Sequence, residues 1–161
     1  MFIVSSFVIF SCDNKRDKYY EDGSLKTRCH YSNGEKHGVC KKYHKNGSLL
    51  AKESYKNGQK DGKQKYFYKD SSLKKVAHYK EGFLNGKFES YYPNGNLKSD
   101  LSFHKGKKNG VCKWYHKNGN PSTKAKFLNG ERQGDAKFYY KNGNLKQHSI
   151  ESLSQAGIKL L

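Results

Sequence analysis

The chain has 161 residues, only 34% of them hydrophobic, and a formal net charge of +18. So small an apolar share argues against a deep globular core and favours small units that bury their apolar faces against one another. The charge favours anionic partners, namely nucleic acid, lipid headgroups, acidic glycans or acidic proteins. Only three of the 32 basic residues are arginines, which base recognition prefers, so nucleic acid is the least favoured of these partners. An AT-rich genome would give the same excess of lysine, and this explanation stays open.

The chain begins with an apolar, uncharged stretch over residues 1–11, directly followed by Cys12. The stretch is far shorter than the ~20 residues of a membrane-spanning helix, but it matches the apolar part of a secretory signal. Ile9-Phe10-Ser11-Cys12 resembles a bacterial lipobox, although Phe10 is bulky for its place and no basic residue precedes the stretch. We therefore expect a lipoprotein-type signal peptide over 1–11, lipidation of Cys12 and a polar tether over 12–18. The alternative is an N-terminal strand buried in the fold.

Between residues 19 and 148, glycine recurs with a period of 24 residues, which is typical of a repeat array. The three phases are Gly23, Gly47, Gly95, Gly119 and Gly143, with Ser71 in the missing place; Gly34, Gly58, Gly82, Gly106 and Gly130; and Gly38, Gly62, Gly86, Gly110 and Gly134. Pairs such as Asn46-Gly47 predict type I′ turns, in which both central residues have positive φ. A second turn is predicted around Gly34 and Gly38, so each repeat holds two strands and two turns.

The first kind of turn also predicts how its flanking strands pair. A two-residue turn places His44 opposite Leu49 and Gly38 opposite Tyr55. The same rule one repeat earlier places Gly38 opposite Tyr31. By the same rule Gly62, Gly86 and Gly110, like Gly38, each lie between two aromatic rings, for which the glycine makes room.

Alternation along the strands separates an apolar face from a basic one. The apolar face is predicted to hold Leu25, Leu49, Leu73, Leu97, Leu145, Tyr31, Tyr55, Tyr79, Phe103, Phe127, Tyr66, Trp114, Phe138, Phe88, Cys40 and Cys112. The basic face is predicted to bind a partner through Lys41, Lys65, Lys113 and Lys137 and through an aromatic ladder of Tyr43, Phe67, Tyr91, Tyr115 and Tyr139. This face is extended by Lys26, Lys74, Lys98, Arg28, Lys52 and Lys124. The alternative is that the ladder rings only pack on neighbouring strands.

The predicted fold is all-β, an elongated single-layer antiparallel meander of 24-residue hairpin repeats over residues 19–148. About twelve strands at ~4.8 Å per step would make it roughly 50 Å long. A short C-terminal capping helix is predicted within residues 149–161, since an open sheet edge needs shielding.

The unit from Tyr43-His44-Lys45-Asn46-Gly47-Ser48-Leu49 to Tyr55-Lys56-Asn57-Gly58-Gln59-Lys60-Asp61-Gly62 resembles the MORN-repeat variant family. Tyr91-Tyr92-Pro93-Asn94-Gly95-Asn96-Leu97 repeats its first part closely. The resemblance covers about residues 19–148 and implies a binding scaffold of the kind linked to membranes, lipids or protein partners. Many bacterial members of this family carry an antitoxin label, and others look secreted or lipid-anchored.

The sequence predicts no catalytic residue, no metal site and no cofactor. The histidines fall in repeat positions, and His44 and His116 lie three repeats apart, which is too far for a shared metal. Cys29 and Cys40 are predicted cross-strand neighbours, and two alternatives stay open, a disulfide outside the cytoplasm or two small residues of the apolar face. No nucleophile, base and orienting group converge, and nothing indicates a small-molecule substrate.

We therefore expect a non-enzymatic scaffold, lipid-anchored in the bacterial cell envelope or at the surface, whose basic and aromatic face binds a protein partner or an anionic surface. One alternative is a cytoplasmic, antitoxin-like protein that neutralises an acidic protein. A second alternative is nucleic-acid binding, in which basic strands follow phosphates and aromatic rings stack on bases.

Overall fold

The computed structural model describes residues 14–149, and of residues 147–149 it describes only the backbone. The predicted signal peptide over 1–11 and the lipidation of Cys12 lie outside the described residues. So does the capping helix predicted within 149–161, apart from Ser149, which ends the last strand. The described part of the chain contains strands and turns and no helix.

The described residues form one antiparallel sheet whose strands follow one another in chain order. The strands are β1 (Asn14–Tyr19), β2 (Leu25–Ser32), β3 (Glu35–Tyr43), β4 (Leu49–Lys56), β5 (Gln59–Lys60), β6 (Gly62–Phe67), β7 (Leu73–Lys80), β8 (Phe83–Tyr91), β9 (Leu97–His104), β10 (Lys107–Lys108), β11 (Gly110–Tyr115), β12 (Pro121–Leu128), β13 (Glu131–Tyr139) and β14 (Leu145–Ser149). The short strands β5 and β10 pair with β4 and β9, and the other twelve form a continuous series. The predicted all-β meander of hairpins is confirmed.

The first strand, β1, overlaps the tether predicted over residues 12–18. Its residues pair with β2 along the whole strand. Asp17 also accepts a hydrogen bond from Arg28 at 2.6 Å, and the guanidinium of Arg16 lies 4.5 Å from the ring centroid of Tyr31. Backbone pairing and these contacts make residues 14–18 part of the sheet and not a tether.

The turn at Asn46-Gly47 has a three-residue loop and not the predicted two-residue one. The Gly47 N–H donates to the carbonyl of His44, and the His44 N–H donates to the carbonyl of Ser48, each at 2.9 Å. Gly47 has a φ of +80°, whereas Asn46 is not among the residues with positive φ. This is a type I turn that ends in a bulge at glycine. Asparagine fits it for another reason, because its Oδ1 accepts the Ser48 N–H at 3.1 Å.

Type I′ turns do occur, at the second turn of each repeat. Asn33 and Gly34 have φ values of +50° and +81°, and the flanking Ser32 and Glu35 pair directly. The same two positive φ values recur at 57–58, 81–82, 105–106 and 129–130. Both turns of the repeat are therefore tight, and their positions keep every hairpin in phase with the next.

The predicted environment of the third glycine phase is confirmed on one side and wrong on the other. Gly38 pairs with Tyr55, and the equivalent pairs are Gly62 with Tyr79, Gly86 with Phe103 and Gly110 with Phe127. On its other side Gly38 lies in a bulge, where the pairing of β2 with β3 shifts. A Cβ on Gly38 would meet only the Cβ of His30 at 3.7 Å, an ordinary contact, but its φ is +79°. Backbone conformation at the bulge, and not the space between two rings, therefore requires glycine.

A second bulge, just after the three-residue turn, moves the leucines predicted on the apolar face to the basic face. We call these residues the leucine column (Leu25, Leu49, Leu73, Leu97 and Leu145). Lys42 pairs with Ala51 in the predicted register, but Tyr43 pairs with Leu49 and not His44, so Leu50 is an extra residue. An offset of one residue turns the side chains beyond it to the other face. The resulting pairs are Tyr43 with Leu49, Phe67 with Leu73, Tyr91 with Leu97, Tyr115 with Pro121 and Tyr139 with Leu145. The placement of these leucines on the apolar face is wrong.

Most of the buried residues belong to a row across the face opposite the basic one. In strand order from β2 to β13 the row consists of Cys29, Cys40, Glu53, Gln64, Ala77, Phe88, Leu101, Cys112, Ala125 and Ala136, all of them buried except the half-buried Phe88. Rings in and beside the row pack edge to face, with centroids 5.9 Å apart for Phe88 and Phe103 and 6.3 Å apart for Trp114 and Phe127. Small side chains under larger rings thus give this sheet a thin, continuous core.

Candidate anion-binding face

Seven basic residues lie directly opposite one another across the strands. Arg28 pairs with Lys41, Lys41 with Lys52, and Lys52 with Lys65. Farther along the sheet, Lys113 pairs with Lys124 and Lys124 with Lys137. We call this set the basic row, and its members are Arg28, Lys41, Lys52, Lys65, Lys113, Lys124 and Lys137. All seven side chains are exposed, and neighbouring strands are about 4.8 Å apart.

The basic row is electrostatically unfavourable by itself. Like charges directly opposite one another destabilise a sheet, and five such pairs occur here. Asp17 neutralises Arg28, and its hydrogen bonds with that guanidinium lower the pKa of the Asp17 carboxyl from its usual value. Within residues 14–149, none of the six lysines of the row forms an ion pair with a carboxylate. Their charge is therefore available to an external anion.

Three other residues occupy the middle of the same row. Lys65 pairs with Val76, Val76 with Glu89, Glu89 with Asp100, and Asp100 with Lys113. Lys87 Nζ lies 2.6 Å from Glu89 Oε1. Glu89 and Asp100 form an acidic break, which divides the row into an N-terminal cluster (Arg28, Lys41, Lys52, Lys65) and a C-terminal cluster (Lys113, Lys124, Lys137).

The aromatic ladder flanks the row, as predicted, but its rings are half-buried against the leucine column. Burial, followed by the charge of Glu89, raises the pKa of Tyr91 above its usual value. Tyr43 lines a depression of about 310 Å³ together with Lys15, Arg28, Lys41 and Lys52. In the C-terminal half, a depression of about 280 Å³ is lined by residues that include Lys113, Tyr115, Lys124 and Tyr139. The ladder rings therefore pack on neighbouring residues, and Tyr43, Tyr115 and Tyr139 also line the depressions beside the lysines.

Three lysines predicted on the basic face lie elsewhere. Lys26, Lys74 and Lys98 hold the extra position of the bulge, and their ammonium groups lie 5.2, 5.3 and 5.6 Å from the ring centroids of Tyr20, Tyr68 and Tyr92. These rings belong to a turn ladder that consists of Tyr20, His44, Tyr68, Tyr92, His116 and Tyr140. Each tyrosine hydroxyl of the three donates to a carbonyl of the next repeat at 2.8–2.9 Å. The lysines therefore cover structural rings.

The opposite face carries one buried carboxylate, Glu53, which is 1% exposed. Its oxygens accept hydrogen bonds from Lys42, Lys60 and Tyr66, each at 2.8 Å, and from Tyr55 at 3.0 Å. Burial alone would raise its pKa, but the hydrogen bonds from Lys42, Lys60 and Tyr66 outweigh burial and lower the pKa to about 2. Burial and this carboxylate raise the pKa of Tyr55 to about 12. Glu53 is not among the predicted site residues, although it takes the place of Ala77 and Leu101 in the buried row.

Two cysteines and one histidine of the described residues make contacts within the fold. A disulfide joins Cys29 on β2 to Cys40 on β3, and Cys112 is a buried free thiol. His116 Nε2 lies 3.0 Å from the carbonyl oxygen of Tyr139, in the manner of the turn-ladder tyrosines. Among the described side chains of residues 14–146, no group of three His, Cys, Asp or Glu could hold a metal. In the same range, no helix could cross a membrane.

The family model of the MORN repeat variant matches residues 18–33, 36–57, 60–81, 84–105, 108–129 and 132–149. The chain belongs to the MORN repeat variant family. Each complete MORN unit spans one hairpin around a three-residue turn, such as β3 and β4 within residues 36–57, and the type I′ turns join successive MORN units. No curated protein matches the chain. The members of the basic row come from five of the six MORN units, and the unit of residues 84–105 supplies the acidic break, so the row belongs to the array and not to any one repeat.

Proposed function

We propose that this MORN repeat variant protein is a non-enzymatic scaffold whose basic row binds an anionic surface or an acidic macromolecule. The observation that carries the proposal is the set of five like-charged cross-strand pairs, whose six lysines form no ion pair with a carboxylate of residues 14–149. An array that only needed to be stable and soluble would place opposite charges across the strands. An anionic partner would remove this repulsion when it binds.

We further propose that the protein is anchored by lipid at Cys12 in a bacterial cell envelope. The apolar leader of residues 1–11 supports an exported protein. The disulfide between Cys29 and Cys40 supports an oxidising compartment. A lipid and a basic face together supply the two membrane signals that stable attachment needs. The alternative is a cytoplasmic, antitoxin-like protein whose basic row neutralises an acidic protein.

Binding to vesicles that contain phosphatidylglycerol and to heparin tests the scaffold. The row variant Lys41→Gln/Lys52→Gln/Lys65→Gln is compared with the turn control Lys69→Gln/Lys117→Gln/Lys141→Gln, which removes three exposed charges outside the row. A lysine near an anionic membrane contributes about 1 kcal/mol, so the row variant should lose about 100-fold in affinity. The turn control should lose much less. Equal losses, or no binding of the wild type to either probe, would contradict the proposal.

Intact mass and membrane fractionation of the native protein, beside Cys12→Ala, test the anchor. We expect a cleaved, lipid-modified protein in the membrane fraction, and release of the Cys12→Ala variant from that fraction. An unprocessed soluble protein would contradict the anchor and favour the antitoxin-like alternative.

A further inference from the structure

The charged residues of the basic row lie in one line across the strands, so the lengths of the row and of its two clusters follow from the strand spacing. Nine strand-to-strand steps lead from Arg28 to Lys137, so the row is about 43 Å long. The N-terminal cluster covers about 14 Å of this, the acidic break separates the clusters by about 19 Å, and the C-terminal cluster covers about 10 Å. A ligand that contacts both clusters must therefore be elongated in the direction across the strands.

The twist of a sheet argues that such a ligand is flexible. Neighbouring strands rotate by about 20–25°, so nine steps turn the row through roughly 200°. The two clusters would then face different directions. A planar membrane can approach only one of them at a time, whereas a flexible chain can follow the row around the sheet.

The protein surface along the N-terminal cluster is concave and forms a trough. The depression beside Tyr43 and a second one, of about 240 Å³, share Val39 and Lys52 in their linings. The second depression is also lined by Ser54, Lys63 and Lys65. A chain in this trough meets ammonium groups below and, at Tyr43, an aromatic ring at its side. This combination suits a repeating unit that carries both a negative charge and an apolar ring face, as an acidic sugar does.

The basic groups present favour a carboxylate or sulfate polymer over nucleic acid. Arginine is the side chain that best matches a phosphate, through its two parallel donors. The only arginine of the row, Arg28, is already bound to Asp17 at 2.6 Å, and the other six members are lysines. The disulfide between Cys29 and Cys40 also favours a partner outside the cytoplasm.

We propose that the basic row binds one extended acidic polysaccharide chain, which runs across the strands and contacts both clusters. This inference rests on the proposed function and names the class of partner. Because the two clusters are joined by a rigid sheet, a chain that reaches both gains affinity from the second contact without any new interaction at the first. Affinity should therefore rise steeply once the chain is longer than the row.

Size-fractionated heparin fragments of two length classes provide the test. One class is about 15 Å long and can reach only one cluster, and the other is longer than about 45 Å and can reach both. We expect the long fragments to bind the full chain at least about 100-fold more tightly than the short ones. The row variant, or Lys113→Gln/Lys124→Gln/Lys137→Gln in the other cluster, should abolish most of this length effect. The turn control should keep it.

The acidic break supplies an independent variant. Glu89→Gln/Asp100→Asn removes two carboxylates that a bridging chain must pass, so the affinity for long fragments should rise more than that for short fragments, which meet at most Asp100 beside Lys113. Circular dichroism of each variant checks that it is folded.

Four results would overturn the inference. They are equal affinity for long and short fragments, loss of the length effect in the turn control, tighter binding of oligothymidylate than of heparin fragments of equal length, and vesicles that displace both heparin classes equally well. If heparin and vesicles both fail to bind the wild type, the proposed function itself is wrong. If vesicles bind and heparin does not, only the inference about the partner is wrong.

Discussion

Replacement of the buried Glu53 by glutamine should destabilise the sheet in a pH-dependent way. The carboxylate is 1% exposed, and its pKa is lowered from 4.5 to about 2 by Lys42, Lys60 and Tyr66 against the opposing effect of burial. A pKa difference of this size corresponds to about 3 kcal/mol of folding free energy at neutral pH. Lys42 and Lys60 remain 35% and 30% exposed and can turn to water in the variant. We therefore expect Glu53→Gln to lose about 2–3 kcal/mol at pH 7.

The sign of the pH effect follows from the lowered pKa. A carboxylate whose pKa is lower in the folded protein stabilises it above pH 4.5, and this contribution is lost as the pH falls from 4.5 toward 2. At pH 3 about 1.4 kcal/mol should remain. The difference between wild type and Glu53→Gln should therefore become smaller at pH 3, because the glutamine does not titrate.

Urea unfolding followed by far-ultraviolet circular dichroism, at pH 7 and at pH 3, measures both quantities. Glu131→Gln is the matched control, since it removes an exposed strand carboxylate and should change stability by less than about 0.5 kcal/mol. Equal stability of wild type and Glu53→Gln at pH 7, or a difference that does not shrink at pH 3, would refute the reasoning.

Two further predictions concern single positions of the repeat. Among the described side chains of residues 14–146, His44 Nε2 is the one buried nitrogen or oxygen without a hydrogen bond. The tyrosines at 20, 68 and 92 all donate to the next repeat. His44→Tyr should add a hydrogen bond worth about 1 kcal/mol of folding free energy and raise the melting temperature. Tyr68→Phe should remove such a bond and lower the folding free energy by a similar amount. An unchanged melting temperature of His44→Tyr would show that a tyrosine at this position cannot form the hydrogen bond. Ser71 has a φ of +67°, while Gly95 in the same phase has +85° with nothing within 4 Å of a Cβ. In thermal unfolding, Ser71→Gly should stabilise the protein by about 1 kcal/mol, and Gly95→Ser should destabilise it by a similar amount. Destabilisation by Ser71→Gly or stabilisation by Gly95→Ser would contradict backbone strain at this turn.

Much of the fold follows from the period of the glycines, because identical spacing in every repeat forces identical pairing. The register of Gly38 with Tyr55 and of Cys29 with Cys40 is confirmed. The predicted turn type is wrong at Asn46-Gly47, because an Asn-Gly pair fits a type I′ turn and also a type I turn with a glycine bulge. That ambiguity has a large consequence, since one extra residue at Leu50 reverses the face of Leu49.

The candidate site was predictable in part. The equal phase of Lys41, Lys65, Lys113 and Lys137 is visible in the sequence, and the structure places all four in one row with Arg28, Lys52 and Lys124. The structure also shows that Lys26, at the bulge, lies over Tyr20. The hydrogen bonds of Glu53 could not be predicted, because their four donor side chains come from four different strands. Its place in a row of otherwise uncharged residues was the signal that a buried charge needed partners.

The arrangement of exceptions within the basic row argues that the acidic break is a feature of the site and not random drift. From Arg28 to Lys137 the row has ten places, and only Val76, Glu89 and Asp100 are not basic. These three come from different strands, yet they are consecutive in space. Scattered losses of lysine would weaken a uniform surface everywhere, whereas a contiguous break preserves two strong clusters and repels anions between them. Such a pattern weakens the binding of a compact or planar anion centred on the acidic break. An elongated anionic chain still contacts the basic clusters at both ends of the row.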